Sequence, residues 1–74
     1  MKIKLDDGEH ATTIDAAAIG NVIPEVGDVI EWESEPETED DLASGRYYVT
    51  GTTWNLSNTE PVSNMLTLHL EARP

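Results

Sequence analysis

The chain contains no cysteine and no phenylalanine, and only 4 lysines and arginines stand against 15 acidic residues. Each shortage excludes something. Without cysteine there is neither a disulfide staple nor a thiolate metal site. The two histidines, His10 and His69, are too few and too far apart in sequence to build a structural zinc site. No apolar run approaches the roughly 18 residues that a membrane helix needs. Lys2 and Lys4 alternate with Ile3 and Leu5 and lead into no apolar h-region, so the start does not read as a secretory signal. The expectation is a cytoplasmic protein, in the host cytoplasm if it is viral. The scarcity of bases excludes direct binding to nucleic-acid phosphates or to an anionic membrane.

What the chain does have is a formal charge of −11 on 74 residues. Such a length makes one small domain, here residues 1–74. It buries only about 60% of the surface its unfolded form exposes. The core must be built from aliphatic residues with Trp32, Trp54, Tyr47 and Tyr48. A second copy of the chain would relieve so thin a core, and homo-oligomerisation is left open. The excess negative charge keeps the protein soluble and steers it toward basic surfaces.

Alternation sets the fold class. Lys2-Ile3-Lys4-Leu5 has the period of a half-buried strand. Asp6-Asp7-Gly8-Glu9 carries turn chemistry, and HATTI over 10–14 closes a hairpin. Asp15, three alanines, Ile19 and Gly20 read as an N-cap, one helical or 3₁₀ turn and a C-terminal glycine. Val22, Ile23 and Val26, around Pro24, are expected to plug one end of the core. In Val29–Glu33, Ile30 and Trp32 share one face and Glu31 and Glu33 the other. The spacing P-x-x-G-D-x-I over Pro24–Ile30 resembles the lead-in to the first long strand of SH3-like small barrels; it covers seven residues and identifies no family.

Arg46–Leu56 is the longest extended run. Tyr47 and Val49 have one parity, Trp54 and Leu56 the other, with Gly51 between them. A bulge or bend at Gly51 would turn both pairs inward and take the strand around a barrel corner. In Met65–Glu71, Leu66, Leu68 and Leu70 face in, and Met65, Thr67, His69 and Glu71 face out. The expected fold is mainly β, a single small antiparallel five-stranded barrel. It is SH3-like as first choice and OB-like or an open sheet as second, with at most one short helical turn near 15–19.

Between two of these strands lies an acidic tract. Glu33, Glu35, Glu37, Glu39, Asp40 and Asp41 place six acids in nine residues, broken by Pro36. The composition reads as a mobile acidic loop over 33–44. The four glutamates recur at every second position. In an extended backbone that spaces carboxylates about 6.5 Å apart along one side, comparable with the phosphate repeat of a nucleic-acid strand. The corresponding partner is the Lys/Arg array of a nucleic-acid-handling protein, engaged by mimicry. Tyr48, of opposite parity to Tyr47, is expected on the outer face beside Arg46, as a short-range contact for a protein partner.

Other constellations carry less. Asp6, Asp7 and Glu9 around Gly8 lack EF-hand spacing and read as a solvated turn, so no metal and no cofactor is assigned. His10 and His69 could lie adjacent if the first and last strands pair, but no serine or cysteine stands in a nucleophile context; the chain is read as no enzyme. Asn55-Leu56-Ser57 fits the glycosylation sequon by chance. The expected function is therefore a non-enzymatic acidic protein-binding module. In size and charge it resembles, by analogy, inhibitors from phages and mobile elements that block nucleic-acid-handling enzymes. The alternative is a structural or accessory protein, a phage-particle subunit or an acidic protein of a salt-adapted cell, whose charge serves solubility alone.

Overall fold

Turn chemistry makes the first hairpin. In a computed structural model, which describes residues 1–35, 40–59 and 64–73, β1 (Lys2–Asp6) pairs antiparallel with β2 (Ala11–Asp15). Between them Gly8 adopts φ 96°, a conformation other residues avoid. The Asp6 carboxylate accepts the Gly8 N–H at 2.7 Å, and the Asp7 carboxylate accepts the N–H groups of Glu9 and His10 at 2.9 and 2.6 Å. These Asx contacts supply the partners that the turn backbone would otherwise take from water. The alanines then make a 3₁₀ turn (Ala16–Ile19). It is capped by Asp15, which accepts from Ala17 N–H at 3.1 Å, and closed by Gly20 at φ 68°.

The remaining strands are β3 (Val29–Trp32), β4 (Gly45–Asn55) and β5 (Met65–Ala72). The sheet order is β2-β1-β5-β4-β3, and the sheet curls into a half-barrel. The expected all-antiparallel pairing is corrected in one place: β1 runs parallel to β5, with Ile3 opposite Leu66 and Leu5 opposite Leu68. The N-terminal hairpin docks on one side of β5 and the β3–β4 hairpin on the other. β5 pairs antiparallel with β4 on one side and parallel with β1 on the other, so the sheet is mixed. The described residues contain one 3₁₀ turn and no α-helix.

The concave face carries the core. Ile3, Leu5, Leu66, Leu68, Leu70, Tyr47 and Val49 are buried there, with Ile14, Ile30 and Trp32 packed against them. A register slip between Val49 and Gly51 sends Thr50 out of the β4–β5 ladder, and the Thr50 hydroxyl donates to His69 C=O at 3.1 Å. Past the slip, Thr52 lies opposite Leu68 and Trp54 opposite Leu66. Directly opposed residues share a face of the sheet, so the slip does turn Trp54 toward the inside.

Facing inward did not bury it. Trp54 stays 50% exposed, and Leu56 lies beyond the strand end in solvent. Among the described residues, Trp54 borders a cavity that it shares with Leu66 and with Ile23, Pro24, Glu25 and Val26 of the crossing segment. The plug expected of Val22, Ile23 and Val26 reduces to Ile23; Val22 and Val26 are 73% and 62% exposed. Thr67, expected outside, is buried because β5 is the central strand and Lys4 and Thr53 flank it on both sides.

The residue that sequence patterning undervalues is Leu42. It lies outside every strand yet is fully buried in the core. Replacing it with alanine should cost about 2–5 kcal/mol, read as the urea midpoint; a loss under about 1 kcal/mol would mean that the core closes without it. Gly51→Ala supplies the opposite expectation. Gly51 has no positive φ, and a Cβ there would meet only His69 Cδ2 at an ordinary 3.8 Å. The variant should be as stable as the parent or up to about 1 kcal/mol more stable. A clear loss in the same assay would show that the slip depends on glycine.

Candidate functional site

The acidic tract leaves the sheet at edge strand β3 and at Asp40 meets the opposite edge strand, β2, before the chain enters β4. Its first residues, Glu33 and Glu35, are exposed and follow directly on edge strand β3. At its base Ser44 Oγ accepts the Ser34 N–H at 2.9 Å and donates to Ser34 C=O at 2.8 Å. One hydroxyl therefore clamps the two ends of the loop together. Further along, Asp40 C=O accepts the N–H of Ala11, on the opposite edge strand β2, at 2.9 Å.

From Asp40 onward the chain is a strap. Leu42 N–H donates to Thr12 Oγ1 at 3.0 Å, and Leu42 C=O accepts the Trp32 indole N–H at 3.2 Å. Ala43 C=O accepts the Tyr47 hydroxyl at 2.6 Å. Burial, together with the charge of Asp7, raises the Tyr47 phenol above its ordinary value, which keeps it a proton donor. The expected mobile loop over 33–44 thus has a second half tied to β2, β3 and β4. Asp40 is exposed and Asp41 half-buried on this strap, while Glu37 and Glu39 lie outside the described residues. The extended comb of carboxylates is accordingly seen only as far as Glu35.

Tyr48 does not join the tract. It sits opposite Val29, three residues and on the order of 10 Å along the sheet from the Trp32–Gly45 pair where the tract begins. It is half-buried on the outer face, with the Arg73 guanidinium 5.4 Å from its ring centre. The Glu71 carboxylate as hydrogen-bond partner, with some burial and the charge of Glu71, raises its phenol, and the charge of Arg73 opposes them.

The other bases hold carboxylates of the sheet. Lys2 meets Asp15 at 3.8 Å, Lys4 meets Asp6 at 3.7 Å, and Arg46 pairs with Glu31. Such exposed pairs contribute little to stability. With every base engaged on the sheet, the 15 acids still exceed the 4 bases by 11.

Among the described residues two carboxyls, Asp7 and Asp15, are held below their ordinary value. Burial pushes Asp7 up but is outweighed by the His10 and Glu9 N–H donors together with the charge and hydrogen bond of the His10 ring. Asp15 is lowered chiefly by the Ala17 N–H, against slight burial, with help from Lys2 and the N-terminal amine. Both contribute stability in full above the unfolded value of about 3.8 and lose it as pH falls below.

A third feature escapes sequence patterning: the concave face is not filled. An apolar slot of about 450 Å³ runs between the two sheet edges. Leu5 and Leu68 form its floor, Ile14 on β2 one wall, and Ile30 and Trp32 on β3 the other. The 3₁₀ turn and the segment after it close one end. A smaller cavity of about 290 Å³ adjoins Trp54 and Leu66, and Pro24 lines both. The exposed Val22 and Val26 belong to this divider. Strand periodicity gives each residue's side of the sheet but not the gap between edges, so no local signal announces the slot.

The histidines stay apart. Although β1 and β5 pair, Asp6 is the residue opposite His69. His69 Nε2 lies 2.8 Å from Thr53 Oγ1, and His10 Nδ1 lies 3.6 Å from the Asp7 carboxylate. Among the described residues no group of three or more histidine, cysteine or acidic side chains is placed to hold a metal ion, and no helix is long and apolar enough to cross a membrane. No family model, no curated protein and no solved structure matches the chain.

The clamp at the base of the tract is open to direct test. Ser44→Ala removes both of its bonds at once. It should lower stability by about 1 kcal/mol and speed amide exchange at Ser34 and Leu42 relative to the strand interiors. Exchange at those two amides unchanged from the parent would mean that the strap is held without the serine.

Proposed function

We infer that this chain is a non-enzymatic protein-binding module whose partner presents a basic surface of the kind built for nucleic acid. The observation that supports this reading most is the mounting of the acidic tract. Its stem is clamped through Ser34 and Ser44 and its far end is strapped to β2 through Asp40. Exposed carboxylates at Glu33, Glu35 and Asp40 are therefore presented from an anchored segment. Anchoring lowers the ordering entropy that a free loop loses on binding, and excess negative charge speeds encounter with a basic partner.

In this reading Glu33, Glu35, Glu37, Glu39, Asp40 and Asp41 steer and hold the partner, and Tyr48 offers a separate aromatic contact on the outer face. The scaffold is a small barrel of the SH3-like or OB-like kind, working in the cytoplasm, a host's if the protein is viral. The distribution of other acids over turns, loops and strands, at Asp6, Asp15, Glu25, Asp28 and Glu71, favours a second reading: a structural or accessory protein whose acidity is general.

Replacement of Glu35, Glu37, Glu39, Asp40 and Asp41 by glutamine or serine tests the first reading against the second. Partner capture from a lysate of the source cell at about 50 mM salt should be lost in the variant and, for the parent, at about 500 mM. The urea midpoint of the variant should match or exceed the parent's. Capture unaffected by the substitutions would refute the specific acidic site and leave general acidity.

A further inference from the structure

Both edges of the half-barrel are open along the apolar slot. On β3, Asp28 N–H bonds Glu25 C=O and Val49 N–H donates to Asp28 C=O, which turns that carbonyl and the backbone groups of Ile30 and Trp32 toward β4. Those of Val29 and Glu31 then point away from the sheet, as alternation in an antiparallel ladder requires. On β2, Ala11 N–H is taken by Asp40 C=O and Ala16 N–H by Met1 C=O. The same alternation directs Thr13 outward. No backbone partner meets Val29, Glu31 or Thr13 on these outer sides among the described residues. An edge with unused N–H and C=O groups is a template for one more strand. Here the template borders an apolar slot of about 450 Å³ and not open water.

The rim fixes the chemistry of what fits. Glu25 and Asp28 precede the β3 edge, Glu31 sits within it at the slot's rim with its carboxylate turned to Arg46, and Glu33 and Glu35 follow it. A strand added to β3 places alternate side chains beside Ile30 and Trp32, over the slot, and the others beside Val29 and Glu31 on the outer face. The first set meets apolar walls; the second meets Val29 and Glu31, whose carboxylate pairs with Arg46, with exposed Glu33 just beyond. A second copy of this chain does not suit the site, because each copy brings a charge of −11 and self-repulsion with it.

We propose that the slot and the β3 edge together bind an extended segment of a partner protein, alternating apolar and basic residues, as a sixth strand of the half-barrel. Main-chain bonds to Val29 and Glu31 give affinity, the slot selects the apolar residues, and Glu33 and Glu35, with Glu31 where the segment competes with Arg46, select lysine or arginine. This rests on the basic-partner reading and adds to it where the partner's backbone goes. Engagement at the edge also brings that segment next to the strapped tract, since Trp32 lines the slot and holds Leu42.

The test uses the whole protein and a short capped peptide alternating lysine with valine. Two controls accompany it: a lysine–serine peptide of equal charge, and the lysine–valine peptide N-methylated at alternate positions. In amide NMR titrations, the first peptide should bind at least about tenfold more tightly than either control. It should also slow exchange of the Val29 and Glu31 N–H groups. Val29→Pro removes an edge N–H that the β3–β4 ladder does not use, and should weaken the first peptide by about tenfold or more; if this variant unfolds, the N-methylated peptide makes the same test from the other side.

Equal affinity for the lysine–valine and lysine–serine peptides, with shifts confined to Glu33–Asp41, would overturn the sixth-strand proposal and leave the acidic-tract reading standing. Failure of every peptide to bind also overturns it, while lysate capture judges the basic-partner reading independently. Concentration-dependent dimerisation that protects Val29 and Glu31 without peptide would assign the edge to a second copy and overturn it as well.

Discussion

Leu42 holds together two sheet edges that no strand joins among the described residues. Its N–H bonds Thr12 on β2, its C=O takes the Trp32 indole on β3, and its side chain is fully buried between them. A half-barrel of five strands leaves its first and last edges apart, and the exposed inner face between them would be an aggregation liability. One leucine on a return strap bridges that gap at one end. The Trp32 orientation, the seating of Tyr47 under Ala43 and the anchoring of the acidic tract all follow from where that leucine sits.

Strand placement was largely legible because the signal is local. Alternation in residues 2–5 and 65–71, Asx turn chemistry at 6–9 and the cap pair Asp15 and Gly20 each specify a short piece of backbone without reference to the rest. The parity switch in β4 was legible for the same reason, although its hinge is Thr50 and not the glycine beside it. What stayed hidden depends on distant pairing. The parallel contact of β1 with β5 leaves no mark on either strand's pattern. Thr67 looks solvent-facing by parity and is covered because its strand is central, and Trp54 looks like core by size and parity but faces an end of the sheet that runs out of cover.

The candidate site divides along the same line. A run of acids is visible in any reading of the chain, and so is the probability that water surrounds it. That its far end is strapped to the opposite edge depends on Ala11 and Thr12, some thirty residues away in sequence. The slot is less legible still, since it is a gap, defined by what two separate strands fail to cover. Tyr48, singled out as an exposed contact, already shares its ring with Arg73, and such intramolecular contacts are invisible to parity.

The central position of β5 has a kinetic meaning. The β1–β2 and β3–β4 hairpins are each local and close quickly, on the order of microseconds, but neither pairs with the other. They become one sheet only when the last strand, Met65–Ala72, slides between them and completes a parallel ladder with residues more than sixty positions upstream. The entropy of closing that long loop falls on a single late step. A hairpin formed before that step has its apolar face in water, and there the high negative charge has a second use, keeping unfinished molecules from meeting one another.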